Sequence, residues 1–285
     1  MESFEGKLAV VTGGGTGMGR ELVIQLAAEG CSVAMCDVNA ESMAMTADLA
    51  RSTSSGDETI TAHLCDVSSE DQVSAFRDAV VEQHATDHVH LVFNNAGIGG
   101  GSSFVAGDRE QWDRTFGVCW SGVYQCSRAF VPLLVASDEG YLVNTSSVNG
   151  FWASLGPGMP HTAYSAAKFA VKGFSEALLE DFRVNAPHVK VAVVMPGHIG
   201  TDIVHNSRRI HGDESLASDA IADFFRLSAP VTAAEAARVI LDGVRAGEWR
   251  ILVGDDAVAL DEAVRADPHA AYGPGGLRVL GNSPP

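Results

Sequence analysis

Seven short runs of apolar residues, many of them β-branched, recur along this chain of 285 residues. Most are separated by stretches with apolar residues at three- and four-residue spacing, as in Leu22, Leu26 and Ala27. The runs predict buried strands, and the spacing predicts amphipathic helices. Strands that alternate with helices indicate a parallel sheet, because parallel neighbours need a crossover connection. The predicted strands cover residues 7–12, 31–36, 59–65, 89–93, 141–145, 189–195 and 250–253.

Because such crossovers are right-handed, the pattern predicts an α/β fold: a doubly wound, Rossmann-type parallel sheet of about seven strands with helices on both faces. Ligands of this architecture bind beyond the carboxyl ends of the strands. No linker-like change in composition interrupts residues 1–266, which we interpret as one domain. Residues 267–285 are rich in Gly and Pro without periodicity, which predicts an irregular tail, either mobile or packed on a neighbouring subunit.

The charge balance limits the partners of the chain. Its 19 basic and 36 acidic residues give a formal net charge of -17, which repels nucleic acid phosphates and anionic lipids. We therefore expect neither nucleic acid nor a membrane as a partner. Residues 1–6 lack the basic and apolar regions of a secretion signal, and no apolar run reaches the ~18 residues of a membrane span. These features predict a cytoplasmic protein.

The cysteines and histidines give no sign of a metal site. Cysteines 31, 36, 65, 119 and 126 form no C-x-x-C pair and lie mostly in apolar stretches, which is typical of reduced core cysteines. His84, His88 and His90 lie at a helix-to-strand junction without a Cys or carboxylate at ligand spacing. We expect neither a disulfide framework nor a bound metal.

A glycine-rich segment, residues 12–20 (T-G-G-G-T-G-M-G-R), follows the first predicted strand and opens a helix. Glycines allow positive φ angles and close approach to a pyrophosphate, and the amino end of the helix offers free N–H groups. Asp37, at the end of the second strand, is placed to accept hydrogen bonds from ribose hydroxyls, and it disfavours a 2′-phosphate. No Lys-Ser or Lys-Thr follows the last glycine, so the segment is not a nucleoside triphosphate P-loop. This context predicts dinucleotide binding.

The pattern T-G-x-x-x-G-x-G resembles the cofactor fingerprint of the short-chain dehydrogenases/reductases, and other motifs follow in that family's order over residues 7–201. Asp66 and Val67 resemble its adenine-contacting pair, residues 94–97 its N-N-A-G turn, and residues 196–201 its segment that holds the nicotinamide amide. Thr16 and Val38 stand where a basic residue usually accompanies NADP, so the resemblance implies NAD. The cofactor-binding residues indicated in this way are Gly13, Gly15, Thr16, Gly17, Met18, Gly19, Asp37, Val38, Asp66, Val67, Asn94, Ala96, Gly97, Tyr164, Lys168, Pro196, Gly197, Ile199 and Thr201.

Tyr164 and Lys168 lie four positions apart, hence on one face of a helix. A phenol with a reference pKa of about 10 acts as a base near neutral pH only if a nearby cation stabilises the phenolate. Taken alone, Tyr-x-x-x-Lys also fits a half-buried Tyr beside a covering Lys. After residues 144–147 (N-T-S-S), however, the pair resembles the family's catalytic set. The resemblance implies Ser147, Tyr164 and Lys168 as catalytic residues and an alcohol dehydrogenase or ketoreductase activity.

One position departs from the family's pattern. Cys119 stands where the family carries an Asn, ahead of Gly122, that helps to pass protons from the Lys to solvent. A thiol is a weak donor and a weak acceptor, so a water or a backbone carbonyl would have to replace the Asn. Cys119 itself is interpreted as a small buried packing residue.

The segments beside the expected substrate site are long and apolar. Residues 148–163 form a predicted substrate loop, and residues 198–228 form a predicted helical lid like the family's. The candidate substrate contacts are Phe151, Trp152, Met159, His161 and Ile203. They predict a bulky, apolar secondary alcohol or ketone, although the aromatic residues would equally pack against the body of the fold or a second subunit. His161 would touch substrate or cap the helix.

Two other functions remain open. The same fold and Tyr-x-x-x-Lys set serve epimerases and dehydratases, whose usual additional substrate domain is absent from the sequence pattern. A non-catalytic NAD-binding regulator or scaffold would also fit Cys119 and the tail, but it has no need for Ser147, Tyr164 and Lys168 together. The resemblance further implies a homodimer or homotetramer formed through the helices after strands four and five.

Overall fold

The computed structural model describes residues 1–54, 56–213, 218–273 and 275–277. The strands in these ranges are β1 Leu8–Thr12, β2 Ser32–Asp37, β3 Ile60–Leu64, β4 Leu91–Asn94, β5 Gly140–Thr145, β6 Val189–Pro196, β7 Ile199–Gly200, β8 Val231–Thr232 and β9 Arg250–Val253. Seven of them form one sheet in the order β3-β2-β1-β4-β5-β6-β9, with every neighbouring pair parallel. The seven predicted strands and the single-domain, doubly wound fold are confirmed.

The helices follow the strands as the periodicity predicts. They are α1 Gly17–Ala28, α2 Ala40–Thr53, α3 Glu70–Gln83, α4 Arg109–Phe116, α5 Gly122–Val135, α6 Thr162–Asn185, α7 Ile203–His211, α8 Asp219–Leu227, α9 Ala233–Ala246 and α10 Asp255–Ala266. A π-helical turn, Gly117–Ser121, joins α4 to α5, and a 3-10 turn, Val148–Gly150, follows β5. Among the described residues, none of the helices has the length and apolar character needed to cross a membrane.

Two apolar cores lie on opposite faces of the sheet, because successive strand residues point to opposite sides. In β1, Val11 packs with α1, α2 and α9 on one face, whereas Val10 packs with α3, α5 and α6 on the other. Both residues are fully buried. This layering leaves the carboxyl edge of the sheet free for the loops that carry polar groups.

The predicted lid region contains a small ladder that the sequence pattern did not indicate. Strands β7 and β8 pair in parallel, with Ile199 opposite Val231 and Gly200 opposite Thr232. Helices α7 and α8 lie between these two strands along the chain, and residues 214–217 fall outside the described part. The ladder therefore ties both ends of the α7–α8 segment to each other.

The described part of the tail packs on its own chain. Ala271 and Leu277 join an apolar cluster with Trp152, Ala257 and Leu260. The two alternatives for the tail, a mobile segment or one held by a neighbouring subunit, stay predictions. Residue 274 and residues 278–285 lie outside the described residues.

Candidate active site

The glycine loop between β1 and α1 has the backbone conformations that its sequence predicts. Gly13 and Gly17 adopt φ angles of +68° and +55°, which strain any other residue. A Cβ at Gly13 would lie 2.9 Å from the Cα of Ala96, and a Cβ at Gly19 would overlap the carbonyl oxygen of Gly13. Glycine at position 19 thus lets the first turn of α1 approach β1 closely.

A cleft opens beside this loop at the carboxyl edge of the sheet. Asp37 stands at the end of β2, where its Oδ2 accepts a hydrogen bond from the Gly15 amide at 3.0 Å and its Oδ1 accepts one from the Asn39 amide at 3.1 Å. The predicted cofactor residues that line the cleft are Gly13, Thr16, Gly17, Met18, Asp37, Val38, Asp66, Val67, Ala96, Gly97 and Thr201. Ile203, predicted as a substrate contact, lines the same cleft.

The far end of the cleft carries a fixed ion pair. Arg114 donates to Asp66 Oδ2 at 2.6 Å and to Ser68 Oγ at 2.7 Å. Burial of the Asp66 carboxyl opposes its ionisation, but the hydrogen bonds from Ser68 and the guanidinium of Arg114 outweigh burial and hold its pKa below the usual range. Asp66 is therefore an ionised, oriented acceptor.

The position of Asn94 corrects one prediction. Its side chain is buried below the cleft and donates to Asn144 Oδ1 at 2.8 Å and to Ser127 Oγ at 3.0 Å. The next residue, Asn95, lines the cleft instead, with its Nδ2 donating to the Thr12 carbonyl oxygen at 3.1 Å. Asn94 ends β4 opposite Asn144, so its side chain lies on the sheet face that carries α5, and its successor reaches the edge.

Other predicted cofactor residues shape the cleft from outside its lining. The Gly15 amide donates a hydrogen bond to the Asp37 carboxylate. Gly197 packs so closely on Asp256 that a Cβ at position 197 would overlap the Asp256 carboxylate. Pro196 ends β6 opposite Val253. The predicted cofactor residues absent from the lining, besides Asn94, are Gly15, Gly19, Tyr164, Lys168, Pro196, Gly197 and Ile199.

Helix α7 supplies cleft residues that sequence reasoning missed. Asn206 donates from Nδ2 to Thr16 Oγ1 at 2.9 Å, which ties α7 directly to the glycine loop. Ser207 Oγ accepts from the Gly99 amide at 2.8 Å. The further lining residues are Cys65, Ile98, Arg114, Val118, Asp202, Asn206, Arg209 and Ile210. Cys65 and Ile98 follow strand ends, so position along the chain could have indicated them; Asn206 and Arg209 depend on the docking of α7.

The lining residues fit a dinucleotide. The positive-φ glycines and the close contact of Gly13 with Ala96 leave a backbone cradle that a Cβ would fill, at the amino end of α1. Gly13, Thr16 and Gly17 would hold the pyrophosphate, Asp37 the ribose hydroxyls, and Asp66 and Val67 the adenine. All of them lie along one cleft.

The three predicted catalytic residues come together behind Gly97. Lys168 lies one turn after Tyr164 in α6, with its Nζ 5.3 Å from the centre of the Tyr164 ring. The same Nζ donates to the Thr145 carbonyl oxygen at 2.8 Å, and a Cβ at Gly97 would lie 3.5 Å from it. Ser147 starts the 3-10 turn after β5, and its hydroxyl interacts with the Tyr164 phenol. Ser146 points away and donates to the Lys168 carbonyl oxygen at 2.7 Å.

Burial dominates the electrostatics of this group. It raises the pKa of Tyr164 well above its usual value, whereas hydrogen bonding with Ser147 acts in the opposite direction. Burial also lowers the pKa of Lys168. In the chain by itself, loss of water therefore outweighs the hydrogen bond with Ser147, and the lowering of the phenol pKa by Lys168 together with a positively charged nicotinamide stays a prediction.

Cys119 sits in the π-helical turn, fully buried. Its sulfur accepts from the Ile98 amide at 3.4 Å and donates to the Ile98 carbonyl oxygen at 3.2 Å. A Cβ at Gly97 would lie 3.8 Å from it. The Cys119 thiol thus pairs with both the N–H and the carbonyl oxygen of Ile98, beside the predicted catalytic residues.

The substrate loop corrects a second prediction. Trp152 is fully buried in the cluster with Ala271, so it offers no surface to a substrate. Phe151 packs on the same cluster, and Met159 is exposed. The aromatic residues of the loop pack against the body of the fold, one of the two alternatives that their sequence left open.

His161 is the loop residue that meets the catalytic group. Its ring centre lies 4.7 Å from that of Tyr164. It makes no capping hydrogen bond to α6, and its buried Nδ1 has no hydrogen-bond partner. Burial lowers its pKa to about 4, so it is neutral at pH 7.

His84 and His90, near β4, form hydrogen bonds with neighbouring groups of the chain. His90 Nδ1 accepts from the Leu8 amide at 3.1 Å, and His84 pairs with Thr61 at 2.9 Å. In residues 1–54, 56–213, 218–273 and 275–277, no three His, Cys, Asp or Glu side chains group together as a metal site requires.

Comparison with known proteins agrees with this geometry. Residues 7–211 match the family model described as short chain dehydrogenase. SadH of Mycobacterium tuberculosis, which is named as an oxidoreductase, is 37% identical over 266 residues, covering 93% of this chain and 92% of that protein. Human epidermal retinol dehydrogenase 2 is 32% identical over 201 residues, 70% of this chain and 62% of that protein.

A solved structure extends the likeness to the whole fold. The crystal structure of a short chain dehydrogenase/reductase from Burkholderia phymatum in complex with NAD superposes with a TM-score of 0.84 at 28% identity. The likeness covers 98% of this chain and 100% of that one. The chain therefore belongs to the short-chain dehydrogenases, a family of oxidoreductases.

Proposed function

We propose that this protein transfers hydride between NAD(H) and a secondary alcohol or ketone, with Tyr164 as the acid/base. The proposal rests on one observation: Tyr164 and Lys168 lie one turn apart in α6, and the Lys168 Nζ lies next to Gly97, a residue that lines the cleft. A bound nicotinamide supplies or accepts the hydride. In the reductive direction Tyr164 donates its proton to the substrate oxygen, and Ser147 donates a hydrogen bond to that oxygen.

The raised pKa of Tyr164 suits the reductive direction, since a protonated phenol is the required acid. Oxidation needs the phenolate, which a second positive charge beside Lys168 would favour. Lys168 supports both roles, because its Nζ lies 5.3 Å from the centre of the Tyr164 ring and next to Gly97.

Asp37 and Val38 support NAD rather than NADP as the cofactor. Both line the cleft at the end of β2, where the carboxylate of Asp37 would accept from ribose hydroxyls and repel a 2′-phosphate. The crystal structure with TM-score 0.84 contains NAD. Tighter binding of NADPH than of NADH in a fluorescence titration would contradict this assignment.

Exposed apolar side chains in the predicted loop and lid segments support a bulky, mostly apolar substrate. Met159 of the loop and Phe224 of α8 expose apolar surface, and a relative of this chain is named for retinol, a large apolar alcohol. Better turnover of small polar sugars than of cyclic or long-chain alcohols would count against this substrate class.

We further propose that the chain forms a homodimer or homotetramer in the cytoplasm, through α5 and α6. Tyr124 on α5 and Phe169 on α6 are both exposed, at 46% and 42%. Exposed aromatic residues are enriched in interfaces. Light scattering should give two or four times the chain mass of 29.9 kDa.

The central test is an assay of NAD reduction at 340 nm with cyclic, steroidal, terpenoid and aliphatic secondary alcohols. Tyr164→Phe should lower kcat by ~10²-fold or more, because it removes the proton donor and acceptor. Tyr124→Phe, which removes an exposed phenol on α5, should leave kcat unchanged. Tight NADH binding without turnover of any alcohol would point instead to a regulator, and absence of NADH binding would refute the proposal.

A further inference from the structure

The described part of the C-terminal segment, residues 267–273 and 275–277, lies against the loop that follows Ser147. Trp152 donates from Nε1 to the Ala271 carbonyl oxygen at 3.1 Å, and the Ala153 amide donates to Tyr272 Oη at 3.0 Å. Trp152 is fully buried. An indole of this size buries ~200 Å² of surface, so its site in the cluster with Ala271 is a substantial anchor.

A continuous path of hydrogen bonds runs from Trp152 to the hydroxyl of Ser147. The Trp152 carbonyl oxygen accepts from Asn149 Nδ2 at 2.9 Å, and the Ser154 carbonyl oxygen accepts from the same group at 2.6 Å. The Asn149 amide donates to Ser147 Oγ at 3.1 Å. Asn149 is itself buried, so neither its side-chain amide nor its backbone N–H has water as an alternative partner.

A second contact joins the loop to the C-terminal elements. The guanidinium of Arg250, in β9, lies 5.8 Å from the centre of the Phe151 ring. It is held by two hydrogen bonds to Asp261 of α10, at 2.5 and 3.1 Å. Both aromatic residues of the loop are therefore fixed by residues about 100 positions later in the chain.

We propose that Trp152 and the C-terminal segment are positioning elements for Ser147. The inference rests on the proposed function, in which Ser147 donates a hydrogen bond to the substrate oxygen. Because one lone pair of Oγ accepts from the Asn149 amide, the hydroxyl proton is directed away from that amide. Holding the turn in this arrangement before substrate arrives removes an ordering cost from the reaction.

The test uses Trp152→Phe in the full chain, with Trp249→Phe as the matched control, since Trp249 is 46% exposed and outside the cluster. Trp152→Phe keeps an aromatic ring but removes the donor to Ala271. We expect kcat to fall ~10-fold or more, a partial loss of an oxygen-stabilising donor, while the Kd for NADH changes less than twofold. Trp249→Phe should change neither quantity. An unchanged kcat in Trp152→Phe would overturn the proposal.

A second readout needs no turnover. Hydrogen exchange of the Asn149 and Ala153 amides should quicken ~10-fold or more in Trp152→Phe, because their partners are released. Tyr272→Phe, at a half-exposed position, should quicken exchange at Ala153 in a chain that still folds. Unchanged amide exchange in both variants would show that the C-terminal segment does not hold the turn after Ser147. If the chain oxidised no alcohol, the proposed function would fail, and exchange at Asn149 would still decide whether the segment orders this turn.

Discussion

Tyr164 and Lys168 illustrate how burial acts on single residues at this site. Burial raises the pKa of the phenol and lowers the pKa of the ammonium, so each group resists the charge that the other would stabilise. Four positions of sequence separation bring the two side chains together, but their surroundings set the cost of ionisation. In the proposed reaction, a positively charged nicotinamide in the cleft would stabilise the phenolate of Tyr164.

Cys119 provides a test of the proton path. We predict that Cys119→Asn changes kcat less than ~10-fold, or under about 1.4 kcal/mol in the barrier. An Asn amide can both accept from the Ile98 amide and donate to its carbonyl oxygen, as the thiol does, and Lys168 Nζ already points to Thr145. Steady-state kinetics with Cys119→Ser as the smaller packing control measures this. A rise of ~10-fold or more would instead mean that the thiol limits turnover.

His161 links the site to the pH dependence of stability. Its folded pKa of about 4 lies below its usual value of 6.5, so the folded chain binds fewer protons than the unfolded chain between these values. Its contribution is present above pH 6.5 and is lost as pH falls towards 4. From pH 7 to pH 5, urea unfolding should show that the wild type loses ~1–2 kcal/mol more than His161→Gln. Equal losses in the two proteins would mean that His161 is hydrated.

At the scale of elements, the approach of α1 to β1 depends on a residue without a side chain. Gly19→Ala places a Cβ against the Gly13 carbonyl oxygen and must push α1 outwards. We expect a loss of ~2 kcal/mol or more in unfolding free energy, as for other overpacked sites, and NADH binding weakened ~10-fold or more. Thermal unfolding and NADH titration measure the two effects.

Gly173→Ala is the matched control within α6. A Cβ there would meet nothing within 4 Å, so alanine should stabilise the helix by ~0.5–1 kcal/mol. Similar effects of the two substitutions would show that helix propensity, and not the contact with Gly13, sets the requirement at position 19.

The C-terminal elements also act as a unit. Strand β9 and helix α10 meet through Arg250 and Asp261, whose side chains are both 11% exposed. The same Arg250 faces Phe151. The loop that contains Phe151 thus packs together with β9 and α10, although the loop lies about 100 residues earlier in the chain.

At the scale of the whole molecule, the proposed interface gives one prediction. Phe169→Glu would place a carboxylate on each copy of α6, and a chain with formal charge -17 already repels its own copies. We expect light scattering to give the mass of a single chain, with secondary structure retained, because Phe169 is exposed within one chain. Retention of the assembly would place the interface on another face.

The sequence predicted most of the fold, because strands buried on both faces and amphipathic helices have distinct periods that local composition reveals. It also indicated many of the residues that line the cleft, since parallel strands end on one side. Which of Asn94 and Asn95 points into the cleft could not be predicted, because it depends on the residue at which β4 ends. The short β7–β8 ladder, two residues a strand, has no period to detect.

By itself the sequence determined the α/β architecture, the glycine loop and the common helix face of Tyr164 and Lys168, because each depends on residues near one another along the chain. Only the tertiary structure decided that Trp152 is an anchor and not a substrate contact, since Ala271 is 119 residues away. The contact of Asn206 with Thr16, 190 residues apart, was decided in the same way. Long-range packing also set the ionisation of Tyr164, because desolvation depends on every element that covers a group.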